Sequence, residues 1–469
     1  MPFSTQIIDK DISPGDIYGK IRHLPFPILL ESAMKHHDIG RYSFVAADPF
    51  LVFEVKKGII CVNGERRKGN PLDLLQGLLQ QYQLDHTPDL PPFTGGAAGF
   101  FSYDFGRFME NLPDIAVKDV KTPDCMFCFY DTVFAFDHEK KTNMIISSGF
   151  PELFFEKQKL RREKRLSYFL RLLDKNPQAE NIVLNTPGEL TCHFDRSSYC
   201  KALEKVIDYI LAGDIYIVNM TQRFSIPFTG SPWALYRKLA GINPAPFAAL
   251  LEWKDFALVS ASPERYLKID GSFIETRPIK GTRPRRKNPE EDIAMRDELW
   301  NSAKDRAELT MIVDLERNDL GRISVPGTVQ VPELFRLEQY ATVWHLVSTV
   351  QSKLKPGLTM MDVFRAAFPG GSITGAPKIR AMEIIEALEP VKRGVYTGAI
   401  GYLGFNGKCD TNIVIRTFII KDGTAHIQVG GGITVDSEPL AEYQETIDKA
   451  KALFQSLGLS GGNQYEHMD

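Results

Sequence analysis

The chain of 469 residues is short of several things, and each shortage removes a class of function. It has no excess of charge: 56 Lys and Arg stand against 59 Asp and Glu, a net of −3. No global cationic field therefore draws it to nucleic acid or to an anionic membrane, and any anion it binds must be held by a local site. No apolar run approaches the roughly 18–20 residues that a membrane-spanning helix needs. The opening Met1-Pro2-Phe3-Ser4-Thr5-Gln6 has no basic stretch followed by an apolar one, so the expectation is no secretory signal and a cytoplasmic setting. The six cysteines (Cys61, Cys125, Cys128, Cys192, Cys200, Cys409) are scattered. Cys125 and Cys128 form a CxxC inside an aromatic run with no second pair beside it, which reads as buried thiols rather than a zinc or redox site. There is no internal repeat, no low-complexity tract and no Gly-Lys-Ser/Thr of a phosphate-cradling loop. None of the cysteines sits in a Gly-x-Cys-x-Gly-like nucleophile turn.

What is present is the balance of a folded globular protein, 43% hydrophobic and 25% charged, with enough chain for one very large core or two ordinary ones. The expected class is mixed α and β (α+β). Residues 1–155 form an N-terminal region of short strands with few helices, rich in aromatic and β-branched residues over 44–55 and 128–136. Residues 156–189 are a helix and a polar, turn-rich linker, and 190–460 form a region in which helices alternate with β-rich runs. Helices are predicted over 198–211, 290–316, 377–388 and 439–457, and strands over 257–260, 398–403, 412–420 and 425–429. Hairpin turns such as Lys421-Asp422-Gly423 make much of the sheet antiparallel. The basic run Lys157 to Arg165 reads as a solvated helix face.

Four groups of residues carry chemistry. Asp305 falls inside the apolar stripe of Leu309, Ile312 and Val313, with Glu308 at its edge, while Glu442, Glu445 and Lys449 share one face of the last helix. Such acids are either solvated helix charge or, if the two helices face one another, hard oxygen ligands of the kind Mg2+ prefers. The loops Gly430-Gly431-Gly432 and Gly370-Gly371-Ser372-Ile373-Thr374-Gly375-Ala376-Pro377-Lys378 are either tight turns or sites whose amides hold an anion with more than one carboxylate. Arg416, inside the apolar strand 413–420, demands an anion, structural or substrate; His345 taken alone is a core histidine. Lys280, at the centre of a loop fixed by proline and glycine, is a solvated charge or, if its pKa is depressed, a nucleophile. Glu264, on a turn, is suited in type to general acid work.

The order Gly213-Asp214-Ile215-Tyr216, Ser262-Pro263-Glu264-Arg265, Arg277-Pro278-Ile279-Lys280-Gly281-Thr282-Arg283-Pro284-Arg285, Asp314-Leu315-Glu316-Arg317-Asn318-Asp319, Gly375-Ala376-Pro377-Lys378 and Glu445-Thr446-Ile447-Asp448-Lys449-Ala450 resembles the chorismate-utilising enzymes. That group includes anthranilate synthase and aminodeoxychorismate synthase large subunits and isochorismate and salicylate synthases. The resemblance runs from about 196 to 455, and Leu29-Leu30-Glu31-Ser32 with Gly40-Arg41-Tyr42-Ser43 extends it to the amino-terminal region of the two aminating branches. It implies two packed sheets flanked by helices, with the site in a cleft between them. It also implies Glu308 and Glu445 as Mg2+ ligands with Asp305 and Glu442 close by, and Arg416, Tyr396, Lys449 and the amides of Gly430, Gly431 and Gly432 around the substrate carboxylates. Ser372 and Ala376 would line the pocket, His345 would lie against the ring, and Glu264 would be the acid for the departing hydroxyl. Leu30, Glu31, Ser32 and Pro244 are similar to the tryptophan pocket of relatives.

Within the group, anthranilate synthases read Pro-Ile-Ala-Gly where this chain has Pro278-Ile279-Lys280-Gly281, as aminodeoxychorismate synthases do. Isochorismate and salicylate synthases carry a water-activating lysine in the segment matching Ile215 to Gln222, and here there is none. The resemblance therefore implies amination of chorismate to 4-amino-4-deoxychorismate, the precursor of 4-aminobenzoate and folate, through a Lys280 adduct. The ammonia would come from a separate glutamine amidotransferase subunit. Two alternatives stand beside it: an anthranilate synthase component I, and a non-catalytic tryptophan-binding homologue.

Overall fold

The computed structural model describes residues 3–9, 11–34, 39–85, 87–174 and 188–459; the expected linker over 176–187 lies outside them. Among the described residues the strands form two large antiparallel sheets. One runs from Ser4–Ile8 at its edge through Thr142–Ser147, Thr132–Asp137, Tyr42–Ala46, Ile28–Glu31, Phe247–Trp253, Phe256–Ser262, Thr417–Lys421 and Thr424–Ile433 to Ile217–Pro227 and Thr191–Cys192. The other runs from Ile279–Pro284 through Val343–Lys353, Phe273–Thr276, Arg265–Asp270, Cys409–Ile413, Ala399–Gly404, Gly96–Phe101, Cys125–Tyr130 and Leu51–Lys56 to Ile59–Val62 and Glu65–Arg67. Both sheets take strands from residues 1–155 and from 190–460.

The sheets pack face to face. Phe44, Ala249, Leu251 and Leu258 of the first meet Ala98, Phe100, Cys128 and Tyr130 of the second in one apolar layer. Helices close the outer faces, because each presents an apolar stripe to a sheet. Leu235, Leu239, Leu453 and Phe454, from Pro232–Ile242 and Pro439–Ser456, cover the first sheet. Leu309, Val313 and Phe364, from Ala303–Gly321 and Met360–Ala367, cover the second. Cys125 and Cys128 are buried free thiols in a strand. Among the described residues no helix is long and apolar enough to cross a membrane.

Several apolar runs that read as continuous are divided, and at each division the chain passes between sheets. Tyr42–Ala46 lies in the first sheet and Leu51–Lys56 in the second, with Asp48 at φ 58° between them. Cys125–Tyr130 and Thr132–Asp137 are separated by the buried Asp131. The strand predicted over 412–420 is likewise two, Cys409–Ile413 and Thr417–Lys421, in different sheets. Arg416 is therefore not inside a strand: its φ of 54° ends the extended path where the chain crosses the sandwich.

Two further expectations are corrected. Lys157, Lys159 and Lys164 are exposed as expected, but Arg161 and Arg165 depart from the solvated face, since both bond Asp131 and Arg165 also bonds Asp48. The helix predicted over 290–316 is two, Pro289–Asn301 and Ala303–Gly321. Ser302 turns to ψ 106° and its hydroxyl caps the second helix by accepting from the Asp305 amide. The hairpin turn is as expected, with Asp422 and Gly423 at φ 49° and 74°, the values of a type I′ turn.

The close strand contact at Gly99 gives a test. A Cβ there would stand 2.0 Å from the Met126 carbonyl oxygen, whereas a Cβ at Gly77, in the helix Pro71–Gln81, meets nothing within 4 Å. Gly99→Ala should cost about 3 kcal/mol, and Gly77→Ala should gain about 0.5–1 kcal/mol. Apparent melting temperatures should move in opposite directions; shifts of the same sign would contradict this packing.

Candidate active site

The strand Thr424–Ile433 pairs with Ile217–Pro227 along its length, setting Gly430 opposite Thr221, Gly431 opposite Met220 and Gly432 opposite Asn219. The triple glycine thus lies inside a strand rather than after one, and its ladder continues through it. What the glycines provide is missing side chains. A Cβ on Gly431 would stand 3.2 Å from Glu442 Oε2 and 3.9 Å from Glu445 Oε1. On Gly432 it would stand 3.1 Å from Lys280 Nζ and 3.5 Å from Glu308 Oε2. Four charged side chains from three other elements therefore close over two bare positions of one strand.

The two acid-bearing helices meet here. Lys304 reaches from Ala303–Gly321 to Glu442, 3.3 Å away on Pro439–Ser456. Ser437 donates to Glu442 (2.7 Å), Lys449 pairs with Glu445 (2.6 Å), and Lys449 also donates to the Gly430 carbonyl (2.9 Å). Asp305, the acid in the apolar stripe, finds its partner in Arg283 at 3.1 Å. Glu308 is buried with no hydrogen bond or ion pair to the described residues. Burial pushes its pKa up, against the pull of Lys280 and Lys304. Glu445 is held below the ordinary carboxylate range, chiefly by Lys449. Lys280 is pushed down by burial, with Lys449 adding to the effect and Glu308 and Glu264 opposing it.

Among the described residues no three acidic, histidine or cysteine side chains form a ready-made metal cage. Mg2+ does not need one: it takes one or two protein carboxylates and fills its shell with water and substrate oxygens. Glu308, a buried carboxylate without a partner, and Glu445, across the same glycines, are the donors that fit it.

The remaining candidates stand where the chain changes sheets. Pro263-Glu264 joins Phe256–Ser262 to Arg265–Asp270, and Val414-Ile415-Arg416 joins Cys409–Ile413 to Thr417–Lys421. The two crossings are tied together: Ser262 Oγ donates to the Ile413 carbonyl (2.6 Å), the Ile413 amide to the Glu264 carbonyl (3.0 Å), and the Ala261 amide to the Arg416 carbonyl (3.0 Å). Ser372 Oγ donates to Glu264 Oε1 at 2.6 Å. Burial pushes Glu264 up to about 7, with Ser372 and Lys280 acting against it. Arg416 donates to the Lys449 carbonyl and meets no carboxylate among the described residues, so most of its fork is left for an anion. Tyr396 is buried, which pushes its hydroxyl up, with Arg393 and, more weakly, Arg416 acting against the shift. His345 sits opposite Thr282, which it meets at 3.0 Å, with the Tyr340 ring edge-on at 4.9 Å. Burial and then Arg416 drive it down to about 3, so the imidazole is neutral. Ala376 pairs with Ile217, whose Cδ1 stands 3.2 Å from the bare position of Gly432.

Glu316 is among the buried acids that the sequence reading did not single out. Glu316 accepts from Thr276 Oγ1 at 3.0 Å and is pushed up to about 8, by burial and then by the nearby Glu264. It lies four residues after Ile312 on the stripe that singled out Asp305, and the same rule applied one turn further would have found it.

Leu30, Glu31 and Ser32 line a separate cavity of about 430 Å³ between the sheets, with Pro246, Arg265, Tyr402 and Asp410. Pro244 is not in its wall. Glu31 is raised by burial and accepts from Tyr236, while Ser32 bonds the carbonyls of Tyr42 and Pro246.

Residues 26–455 match the family described as chorismate binding enzyme. Aminodeoxychorismate synthase component 1 of Escherichia coli (strain K12) is 42% identical, covering 94% of this chain and 95% of that protein. Anthranilate synthase component 1 of Thermus thermophilus is 40% identical, covering 96% of each. The crystal structure of anthranilate synthase component I from Streptococcus pneumoniae superposes with a TM-score of 0.80 at 36% identity, over 89% of this chain and 93% of that one.

The depressed lysine can be tested without any substrate. In competitive labelling with acetic anhydride, read by peptide mass, Lys280 should titrate below the exposed lysines. A Lys280 that titrates with them would contradict the burial that sets it apart.

Proposed function

The chain belongs to the chorismate-binding enzymes, and on that premise we propose that it aminates chorismate at C4, giving 4-amino-4-deoxychorismate and water. The observation that carries this reading is Lys280. It is a half-buried lysine with a depressed pKa, in the strand Ile279–Pro284 rather than the expected loop, facing a bare position of the glycine strand, at a place where anthranilate synthases are similar to one another in having alanine.

Arg416, Lys449 and Tyr396 hold the substrate carboxylates at the end of the cleft where the chain crosses between sheets. The neutral amine of Lys280 adds to ring C2 while the C4–O bond breaks. The proton of the Glu264 carboxyl leaves with the hydroxyl as water. His345, neutral and fixed by Thr282, packs against the ring without taking a proton. Ammonia then adds at C4 as the bond between C2 and Lys280 breaks, and the proton released returns to Glu264. Glu308 and Glu445 are the residues that would hold Mg2+, which would supply positive charge against a substrate carboxylate. Ile217, where a water-activating lysine would otherwise stand, leaves no base for hydroxylation at C2.

The reading makes the ammonia donor a separate glutamine amidotransferase subunit, in keeping with the component 1 naming of the relatives, and sets the reaction in the cytoplasm. The 430 Å³ cavity is the place for an amino-acid ligand of tryptophan's kind.

The pure chain with chorismate, Mg2+ and ammonium should yield a product whose mass is that of aminodeoxychorismate, and glutamine should replace ammonium only after the partner is added. Anthranilate and pyruvate as products would overturn the reading in favour of the other aminating branch. The pH dependence follows from two groups. Lys280 reacts as the neutral amine, so turnover rises with pH on the acid side. Glu264 reacts as the protonated acid, so turnover falls as pH rises through about 7. Ser372→Ala removes a hydrogen bond to the charged form and should move that basic limb to higher pH; a shift to lower pH would remove Glu264 from the acid's role.

A further inference from the structure

Behind the glycine strand lies an ion pair that the chemistry above does not use. Glu389 and Arg393, four residues apart in the segment that follows the helix Lys378–Leu388, are 3% and 2% exposed. Arg393 donates from Nε to Glu389 Oε2 (2.9 Å) and from Nη2 to Glu389 Oε1 (2.7 Å). Its other donors leave the pair. Nη2 reaches the Asn219 carbonyl (2.6 Å) and Nη1 the Ile373 carbonyl (2.8 Å), and the guanidinium lies 4.7 Å from the centre of the Tyr103 ring. Glu389 Oε1 in turn accepts from the amide (3.0 Å) and hydroxyl (2.8 Å) of Thr221.

Three of these contacts, at Asn219, Thr221 and Ile373, end one step from a residue of the site. Asn219 is the register partner of Gly432, which faces Lys280 and Glu308, and Thr221 is the partner of Gly430, whose carbonyl takes Lys449. Ile373 follows Ser372, which donates to Glu264. Burying two charges costs desolvation that their attraction only about offsets, and an apolar pair of similar volume would serve stability as well. What an apolar pair lacks is direction. A planar guanidinium fixes several acceptors at once, in one geometry.

We propose that Glu389 and Arg393 are positioning residues for the amination: together they lock the strand opposite the triple glycine to the Ser372 turn, so that Lys280 and Glu264 bear on one ring at the same time. Neither touches the substrate. The inference rests on the amination reading. Of the groups assigned to the carboxylates, Arg416 and Lys449 stand on a different crossing and helix, while the Tyr396 amide donates to the Arg393 carbonyl (3.2 Å), a backbone contact that side-chain substitution leaves in place. Misplacement of reacting groups by about 1 Å is enough to cost on the order of 100-fold in rate.

The test uses the full chain with ammonium and Mg2+, in two variants. Arg393→Lys keeps the charge but loses the fork. The double variant Glu389→Gln with Arg393→Met removes both charges and leaves no buried ion alone, so it keeps the question open if the single variant does not fold. Circular dichroism and melting establish the folded state, and initial rates give kcat and KM for chorismate. The expected result is a folded double variant with kcat down about 100-fold and KM changed by less than about threefold. A folded double variant with kcat within about threefold of the wild type, or a loss confined to KM, overturns the positioning role and leaves the amination reading standing. A wild-type chain that forms no aminated product overturns both.

Discussion

Two crossings between the sheets govern the candidate site. A chain that leaves one sheet of a sandwich for the other must bury peptide groups where no ladder continues, and those groups have to find partners. Here the crossings at Pro263-Glu264 and Val414–Arg416 find them largely in each other, through Ser262, Ile413, Glu264, Ala261 and Arg416. A buried carboxyl and a half-buried guanidinium thereby stand in adjoining segments without bonding one another. The acid meets Ser372 and the Ile279 backbone, the arginine the Lys449 carbonyl, and the remaining capacity of both is left for a ligand.

That arrangement decides the electrostatics. Burial disfavours charge of either sign, so the same enclosure drives the Lys280 amine down and the Glu264 carboxyl up. The enclosure thus favours the neutral form of both the amine and the acid, and substitution of a ring hydroxyl calls for a nucleophile and a proton donor. The other end of the cleft stays ionised. Lys449 keeps Glu445 charged, and Arg416 has no carboxylate among the described residues to quench it. In the proposed reaction the charged end would orient a substrate's carboxylates and the neutral end would carry the chemistry.

Much of this was legible in the residues. The acids at 305, 308, 442 and 445 showed through helical periodicity, and the hairpin at Asp422-Gly423 through its turn chemistry. The crossings were not. Apolar residues that pass through a sandwich are buried on every side, so 44–55, 128–136 and 412–420 show no change of pattern where the chain changes sheets. Arg416 consequently read as a strand residue. The glycines at 430–432 read as a loop because a strand without side chains has no period to display. Arg161 and Arg165 read as solvated because their partners, Asp48 and Asp131, lie distant in sequence. Glu316 differs from these, since its position on the stripe was available.

The central claim is that Lys280 is a neutral nucleophile rather than a fixed charge, and intact-mass analysis tests it most directly. Wild-type chain quenched after exposure to chorismate and Mg2+ without ammonia should carry an added mass equal to chorismate less one water, mapped by peptide analysis to Lys280, and Lys280→Arg should carry none and lose most of its turnover. An unmodified wild-type chain, together with a Lys280→Arg variant working at nearly wild-type rate, would contradict the account.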